Sequence, residues 1–529
     1  MSGGGVNGAL RQSMAWLHTW SGLLVGWILF AMFMTGTASY FRPEITRWME
    51  PETGPPAGYL RAAEGAVSAL SARAPQAESW SIVLPDERRS TATAAWRNPR
   101  LPDQERPRKR GENRVVIDAG SGEVITPRET RGGEFFYRVH FQLHYLPVLW
   151  GRIGAGICAM FMLAAIVSGV ITHKRIFKDI FTFRPTKAAQ RSWLDAHNLT
   201  AVLALPFHVM ITYSGLVTLM LLYMPWGVQA NYPTAEAFYA EAFPQDEAPP
   251  PSGIRAPLAD LTTVLQTASE HWGGGRPWIV NINHPGDAKA RIQVTRHSGD
   301  RLTYDNGALT FDGVTGALLS ETPKPGPAVT THRVIYGLHM GRFADPLLRW
   351  IYFLCSLAGC AMVATGLVLW TVKRRQQLPD PDRPHLGFRV VERLNIGTIA
   401  GVPAAMAATL WANRLLPAHM SGRGEWEIHA FFITWASMIV LASLRPPRRA
   451  WVESLSLAAL LVAALPLLSA ATSPRNIWAN ATQGDWGMVT FDVTLILLGA
   501  GLGACAAKAQ AWRGAAPRLR RPRTAEQVS

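Results

Sequence analysis

Histidines stand at the ends of apolar runs in this chain, and the arrangement occurs twice. Leu17-His18-Thr19-Trp20 opens a run that closes on Thr35-Gly36, and Ala196-His197-Asn198-Leu199 opens another that closes on Ser214-Gly215. His18 to Gly36 and His197 to Gly215 span the same 18 positions. His140 and His144 precede a second run at Gly151-Arg152; His332 and His339 precede another at Arg349-Trp350. One layer therefore holds His18, His173 and His197, and the opposite layer holds His144 and His339 at repeat-equivalent positions. His208 lies about 16 Å further along its helix than His197, and Leu29 takes that place in the first copy. An ionisable side chain at membrane depth is costly without a partner, so each of these is a functional candidate.

Two layers of imidazoles separated by most of a bilayer suit two haems with axial histidine pairs. His18, His144, His173, His197, His208 and His339 are the candidate cofactor ligands, competing for the four axial positions that two haems need. Repeat symmetry pairs His18 with His197 and His144 with His339. An asymmetric alternative pairs His173 with His197, or His208 with a histidine of the opposite layer. Zinc or iron held directly by the histidines is the competing chemistry, weakened because no Asp or Glu accompanies them in the helices of the repeat. Cys158, Cys355, Cys360 and Cys505 all fall in apolar runs, and no Cys-x-x-Cys-His occurs, so covalently attached haem is excluded. His271, His284 and His297 read as exposed positions of polar segments, with no catalytic constellation around them.

The elements that must position these residues form an α-helical integral membrane protein of about eight transmembrane helices. Hydrophobic residues make up 48% of the chain although two long polar insertions dilute them. The expected order is a span within 10–42, a polar domain 43–140, a span within 141–172, a basic loop 173–196 and a span within 197–224. Then come a second polar domain 225–338, a span within 339–372, a loop 373–394, a four-helix extension 395–507 and a basic tail 508–529. Within the extension the spans are expected at 395–415, 427–444, 452–472 and 488–507. The first span lacks a small-residue cleavage site and reads as a retained helix. Each polar domain reads as α+β: a helix (59–72, 258–270), then short alternating strands. Asp118 to Gly122 and Asp312 to Gly316 mark tight turns near their ends. The Pro- and charge-rich tract 98–114 reads as a mobile loop.

The net charge of +15 is a topology signal, because the basic residues flank spans and form no soluble patch. Lys174 to Arg191, Lys373-Arg374-Arg375, Arg445 to Arg449 and Arg513 to Arg523 all fall on one side if both termini are cytoplasmic. The polar domains then lie outside, and nucleic acid is not an expected partner. In the extension, His429, Glu425, Glu427 and Asp492 point to docking, with quinone or proton handling as the lesser reading.

Ser168-Gly169-Val170-Ile171-Thr172-His173-Lys174-Arg175-Ile176-Phe177-Lys178-Asp179-Ile180-Phe181-Thr182-Phe183-Arg184-Pro185 closely resembles a signature of the PepSY-associated transmembrane proteins, a bacterial iron-regulated group that includes ferrisiderophore reductases. Leu338 to Phe343, Pro206-Phe207-His208 and Gly366 to Trp370 agree with it, and the likeness covers about residues 10–375. The resemblance implies PepSY-like polar domains and a b-type haem protein of the bacterial inner membrane. It further implies electrons carried outward to a periplasmic ferric siderophore or other ferric chelate. The four-helix extension is similar to that of longer members. The cytoplasmic loops are too short for a nucleotide-binding domain, so the donor is expected to be a quinol or another protein. Two other functions compete: a PepSY-type sensor binding a peptide or protease, and a metal or siderophore permease.

Overall fold

The computed structural model describes residues 4–99, 113–173, 189–242, 248–304 and 307–512. Within them, seven helices are long and apolar enough to cross a membrane: Gly8–Ser39, Val148–Thr172, Pro346–Arg375, Leu386–Leu415, Arg423–Leu444, Pro447–Thr472 and Trp486–Ala511. A bent pair, Ala189–Leu203 and Leu205–Thr218, turned 67° at the break, is apolar enough for an eighth crossing only when its two segments are taken together. Leu24, Val167, Leu354, Val440, Leu460 and Leu497 lie exposed on their flanks, as lipid-facing positions must. The basic residues of 174–188, those of 513–529 and most of the tract 98–114 lie outside the described residues.

Two expectations are corrected here. The third span, expected within 197–224, is not one helix but two segments. Ala204 leaves helical geometry, at φ −111 and ψ 23, and Pro206 follows at the start of the next segment. Proline has no N–H to donate and its ring obstructs the carbonyl four residues back. The fifth crossing begins at Leu386 rather than 395, because residues 386–399 form a separate amphipathic helix that runs into Gly401–Leu415.

The polar segments also differ from expectation in one respect: they share a sheet. The first contributes β1 (Ser79–Val83), β2 (Thr91–Arg97), β3 (Arg114–Asp118) and β4 (Val124–Ile125). The second contributes β5 (Pro277–Asn283), β6 (Arg291–Arg296), β7 (Ala308–Asp312) and β8 (Leu318–Glu321). Their order is β4-β3-β2-β1-β5-β6-β7-β8. The central pair β1–β5 is antiparallel, with Ser81 opposite Asn281 and their side chains hydrogen-bonded at 2.9 Å. An order that reads the same from both edges places a pseudo-twofold axis between β1 and β5. Helices Tyr59–Arg73 and Leu261–His271 pack on the sheet, burying Leu70 and Leu265 against Ile82, Ile117, Val280, Ile282 and Phe311. Asp118 accepts from the amides of Gly120 and Ser121, and Asp312 from those of Val314 and Thr315. Gly122 (φ +75) and Gly316 (φ +73) close the two turns in the left-handed region that favours glycine.

From the sheet the chain returns to the membrane through short helices, Gly132–Gln142 before the second span and Pro327–Met340 before the fourth. These two helices carry the chemistry that follows.

Candidate cofactor site

Four helices of the repeat carry the same local device. In each, a backbone carbonyl is followed three residues later by Ser or Thr and four residues later by Gly: Met32/Thr35/Gly36, Ala165/Ser168/Gly169, Ile211/Ser214/Gly215 and Met362/Thr365/Gly366. Each hydroxyl donates to its own helix's carbonyl three positions back. Each carbonyl also accepts from the Nδ1–H of a histidine on another helix. His140 donates to Met32 at 2.7 Å, His18 to Ala165 at 2.8 Å, His339 to Ile211 at 3.0 Å and His197 to Met362 at 2.9 Å. The glycine lets the ring lie against the helix. A Cβ at Gly36 would meet His140 Nδ1 at 2.8 Å, at Gly169 His18 at 3.1 Å, at Gly215 His339 at 2.9 Å and at Gly366 His197 at 3.1 Å.

The consequence is two histidine pairs across the pseudo-twofold axis. His18 and His197 have ring centres 6.1 Å apart, and His140 and His339 likewise 6.1 Å. The planes cross at 66° in the first pair and 28° in the second. A carbonyl can only accept, so Nδ1 carries the proton in all four rings and Nε2 is left for another partner. A carbonyl-bound ring nitrogen is the usual setting of a metal-ligating histidine, because it fixes tautomer and orientation. Along the first span, His18 and the Met32 carbonyl are separated by roughly 20 Å at helical rise, so the pairs sit in two layers.

His144 is not brought to His339, correcting the symmetric pairing expected from the sequence. His140, one helical turn earlier, occupies that place. Leu143 terminates the Gly132–Gln142 helix in a left-handed conformation (φ 47), so the chain turns away before His144. The His144 ring instead stacks on Phe432 at 5.7 Å and meets Phe135 edge-on at 5.8 Å, while Tyr145 hydrogen-bonds His429. His173 caps the second span beside the first pair, its Nε2 accepting from the Asn198 amide at 3.1 Å. His208 is fully buried between the layers, against Gly359, and neither ring nitrogen makes a well-formed hydrogen bond. Neither His173 nor His208 faces a second histidine at pairing distance among the described residues, so the asymmetric pairs are not formed.

Residues 15–373 match the family described as the PepSY-associated TM region. The chain belongs to that family. The match begins three residues before His18, ends within the fourth span, and so encloses both histidine pairs. The chain is also 26% identical over 369 residues to the uncharacterized protein PA4219 of Pseudomonas aeruginosa, covering 66% of this chain and 88% of that protein.

The four-helix extension lies outside the family match and docks on the repeat through a buried polar cluster. Glu427 accepts from Arg423, Asn413 and Thr130 at 2.6–2.7 Å, with Glu427 and Arg423 both fully buried. Arg47 pairs with Asp485, Arg131 with Glu425, and Arg414 reaches the Trp48 carbonyl at 2.6 Å. Of the three histidines read as exposed, His271 is so, whereas His284 and His297 are only partly exposed, and His297 is the one with a role in the fold. It is half-buried, bonds Asp86 of the first polar segment at 3.4 Å and so ties the two halves of the sheet unit together.

Proposed function

We propose that this PepSY-associated protein is an inner-membrane di-haem electron carrier that passes electrons outward to a ferric chelate. One haem would be held by His18 and His197 and the other by His140 and His339. The observation that carries the reading is the fourfold device: four carbonyl-anchored histidines in two pairs whose ring centres are 6.1 Å apart. Two axial metal–nitrogen bonds of about 2 Å, plus the half-widths of two imidazoles, require a separation of roughly 6 Å. Among the described residues no group of three or more His, Cys, Asp or Glu could hold a bare metal ion. Two imidazoles alone leave a metal's other positions unfilled, so a planar macrocycle suits each pair better than zinc or free iron does. When bound, such a group would supply one-electron iron chemistry.

The chain's own contributions are positional. The Nδ1–H to carbonyl bonds hold each ring in one tautomer, and the Ser/Thr hydroxyls add a second polar contact on the same carbonyls. Glycines remove the side chains that would push the rings off the helices. Met32, Met162, Ile166 and Met362 are buried around the bundle and keep the layers dry. The basic flanks of the spans favour cytoplasmic termini, with the sheet unit outside and the His140–His339 pair on its side. Iron and a siderophore-like substrate follow from the family resemblance. The donor, a quinol or a cytoplasmic protein, would meet the His18–His197 end.

The test is haem content. Full-length protein from haem-replete cells should carry low-spin b-type haem, extractable with acidified acetone. His18→Ala and His140→Ala should each lose about half of it. Full haem content in both variants, or none in the wild type, contradicts the reading.

A further inference from the structure

Directly outward of the His140–His339 pair lies a cluster that the proposed function does not use. Tyr137 and Tyr336 each precede a paired histidine by three residues, one helical turn toward the sheet. The Arg42 guanidinium stands 4.8 Å over the Tyr137 ring. The Arg342 guanidinium stands 5.2 Å over Tyr304, whose ring centre is 4.8 Å from that of Tyr336. The Tyr137 hydroxyl meets the Met340 sulfur at 3.9 Å, two residues before Arg342, and Arg42, Arg342, Tyr137 and Tyr336 border, with His140 and His339, a large open space whose lining also includes Glu44, Asp86 and Asp345.

The charge around these two guanidinium groups is unbalanced, because the nearby carboxylates are engaged elsewhere: Glu44 with Arg88, Asp86 with His297 and Asp345 at a helix N-terminus. Arg42 reaches Glu134 at 3.0 Å, but that carboxylate also serves Arg138. Arg342 bonds the Ser298 hydroxyl at 3.2 Å, and no carboxylate among the described residues pairs with it. Burial, and then the charge of Arg342, lower the pKa of Arg42, against the opposing pull of Glu134. Two guanidinium groups facing one space are stabilised by an anion placed between them, and a guanidinium fork matches a carboxylate in two-point geometry. Aromatic faces on both sides fit the flat or ring-bearing remainder of such a ligand.

We propose that Arg42 and Arg342 form a clamp for a carboxylate-bearing ligand above the His140–His339 pair. The carboxylates come either from the propionates of a haem held by that pair, which rests on the proposed function, or from an incoming anionic chelate, which does not require haem. Arg342→Gln, Arg342→Lys and Arg42→Gln in the full-length protein separate these sources, after thermal unfolding shows that each variant is folded. The first arm is equilibrium binding of gallium(III) citrate, a redox-inert polycarboxylate complex, against a gallium hydroxamate control. The second arm is a redox titration followed by visible absorbance.

If the chelate supplies the carboxylates, Arg342→Gln should weaken gallium citrate binding by roughly tenfold, with partial rescue by lysine and no change for the hydroxamate. If the propionates do, gallium citrate is unaffected while the midpoint of one haem falls, because removing a cation destabilises the electron-rich state. Either result supports the clamp. Unchanged binding together with unchanged midpoints in both glutamine variants overturns it. So does a haem-free wild type that binds no gallium citrate.

Discussion

At the residue scale, the choice between His140 and His144 decides the site. His140→Ala and His339→Ala are expected to have the same effect, loss of one haem with the other still reducible by dithionite. His144→Ala should keep both, since its ring packs on Phe432 of the extension. Haem quantification on the three variants checks this. The glycines give a second test. A methyl group at Gly36 would sit 2.8 Å from His140 Nδ1, closer than real contacts allow, so Gly36→Ala must push the ring or the helix. It should destabilise by about 1–3 kcal/mol and disturb the low-spin signal of one haem only, as read by electron paramagnetic resonance. His18, His197 and His339 were legible from spacing alone. His140 was visible in the sequence beside His144, but the distance to the next apolar run does not reveal where a helix ends. The signal that does is Tyr-x-x-His, repeated at Tyr137–His140 and Tyr336–His339, together with the four Ser/Thr-Gly pairs that receive the rings.

At the scale of elements, the docking cluster of the extension makes predictions of its own. Glu427→Ala would leave Arg423 buried without its charge partner, a change that costs about 3–5 kcal/mol when one member of a buried pair is removed. Converting both residues to apolar ones should recover much of that loss, as thermal unfolding of the two variants would show. Glu50 adds a pH dependence close by. Burial, and then the Glu52 carboxylate, push the Glu50 carboxyl up to about 7. The folded protein holds this proton more tightly than the unfolded chain. The stability it contributes is complete below the ordinary carboxylate range and is lost as pH rises through about 7. Glu50→Gln should therefore raise the melting temperature at pH 8 and leave it unchanged at pH 5. Most strands and both covering helices were readable from alternation and turn residues, because period and punctuation are local. The break at Ala204 had a local sign in Pro206. The β1–β5 pairing that fuses two expected domains had none, since it depends on the spans bringing two strand edges together.

At the scale of the molecule, one pseudo-twofold axis relates the halves of the sheet, the four helices of the repeat and the two histidine pairs. That symmetry explains why each pair is built from equivalent residues; His208 departs from it, since the first copy carries Leu29 in that place. It also sets the extension apart as an addition to a complete two-copy unit. The duplication was the clearest feature of the sequence, whereas the register of one copy against the other required the folded bundle. The most direct measurement is the absorbance spectrum of purified full-length protein, before and after dithionite, alongside His18→Ala, His140→Ala and the double variant. The account predicts b-type bands that sharpen on reduction, about two haems per chain in the wild type, about one in each single variant and none in the double. A colourless wild type, or a double variant with undiminished haem, would contradict it.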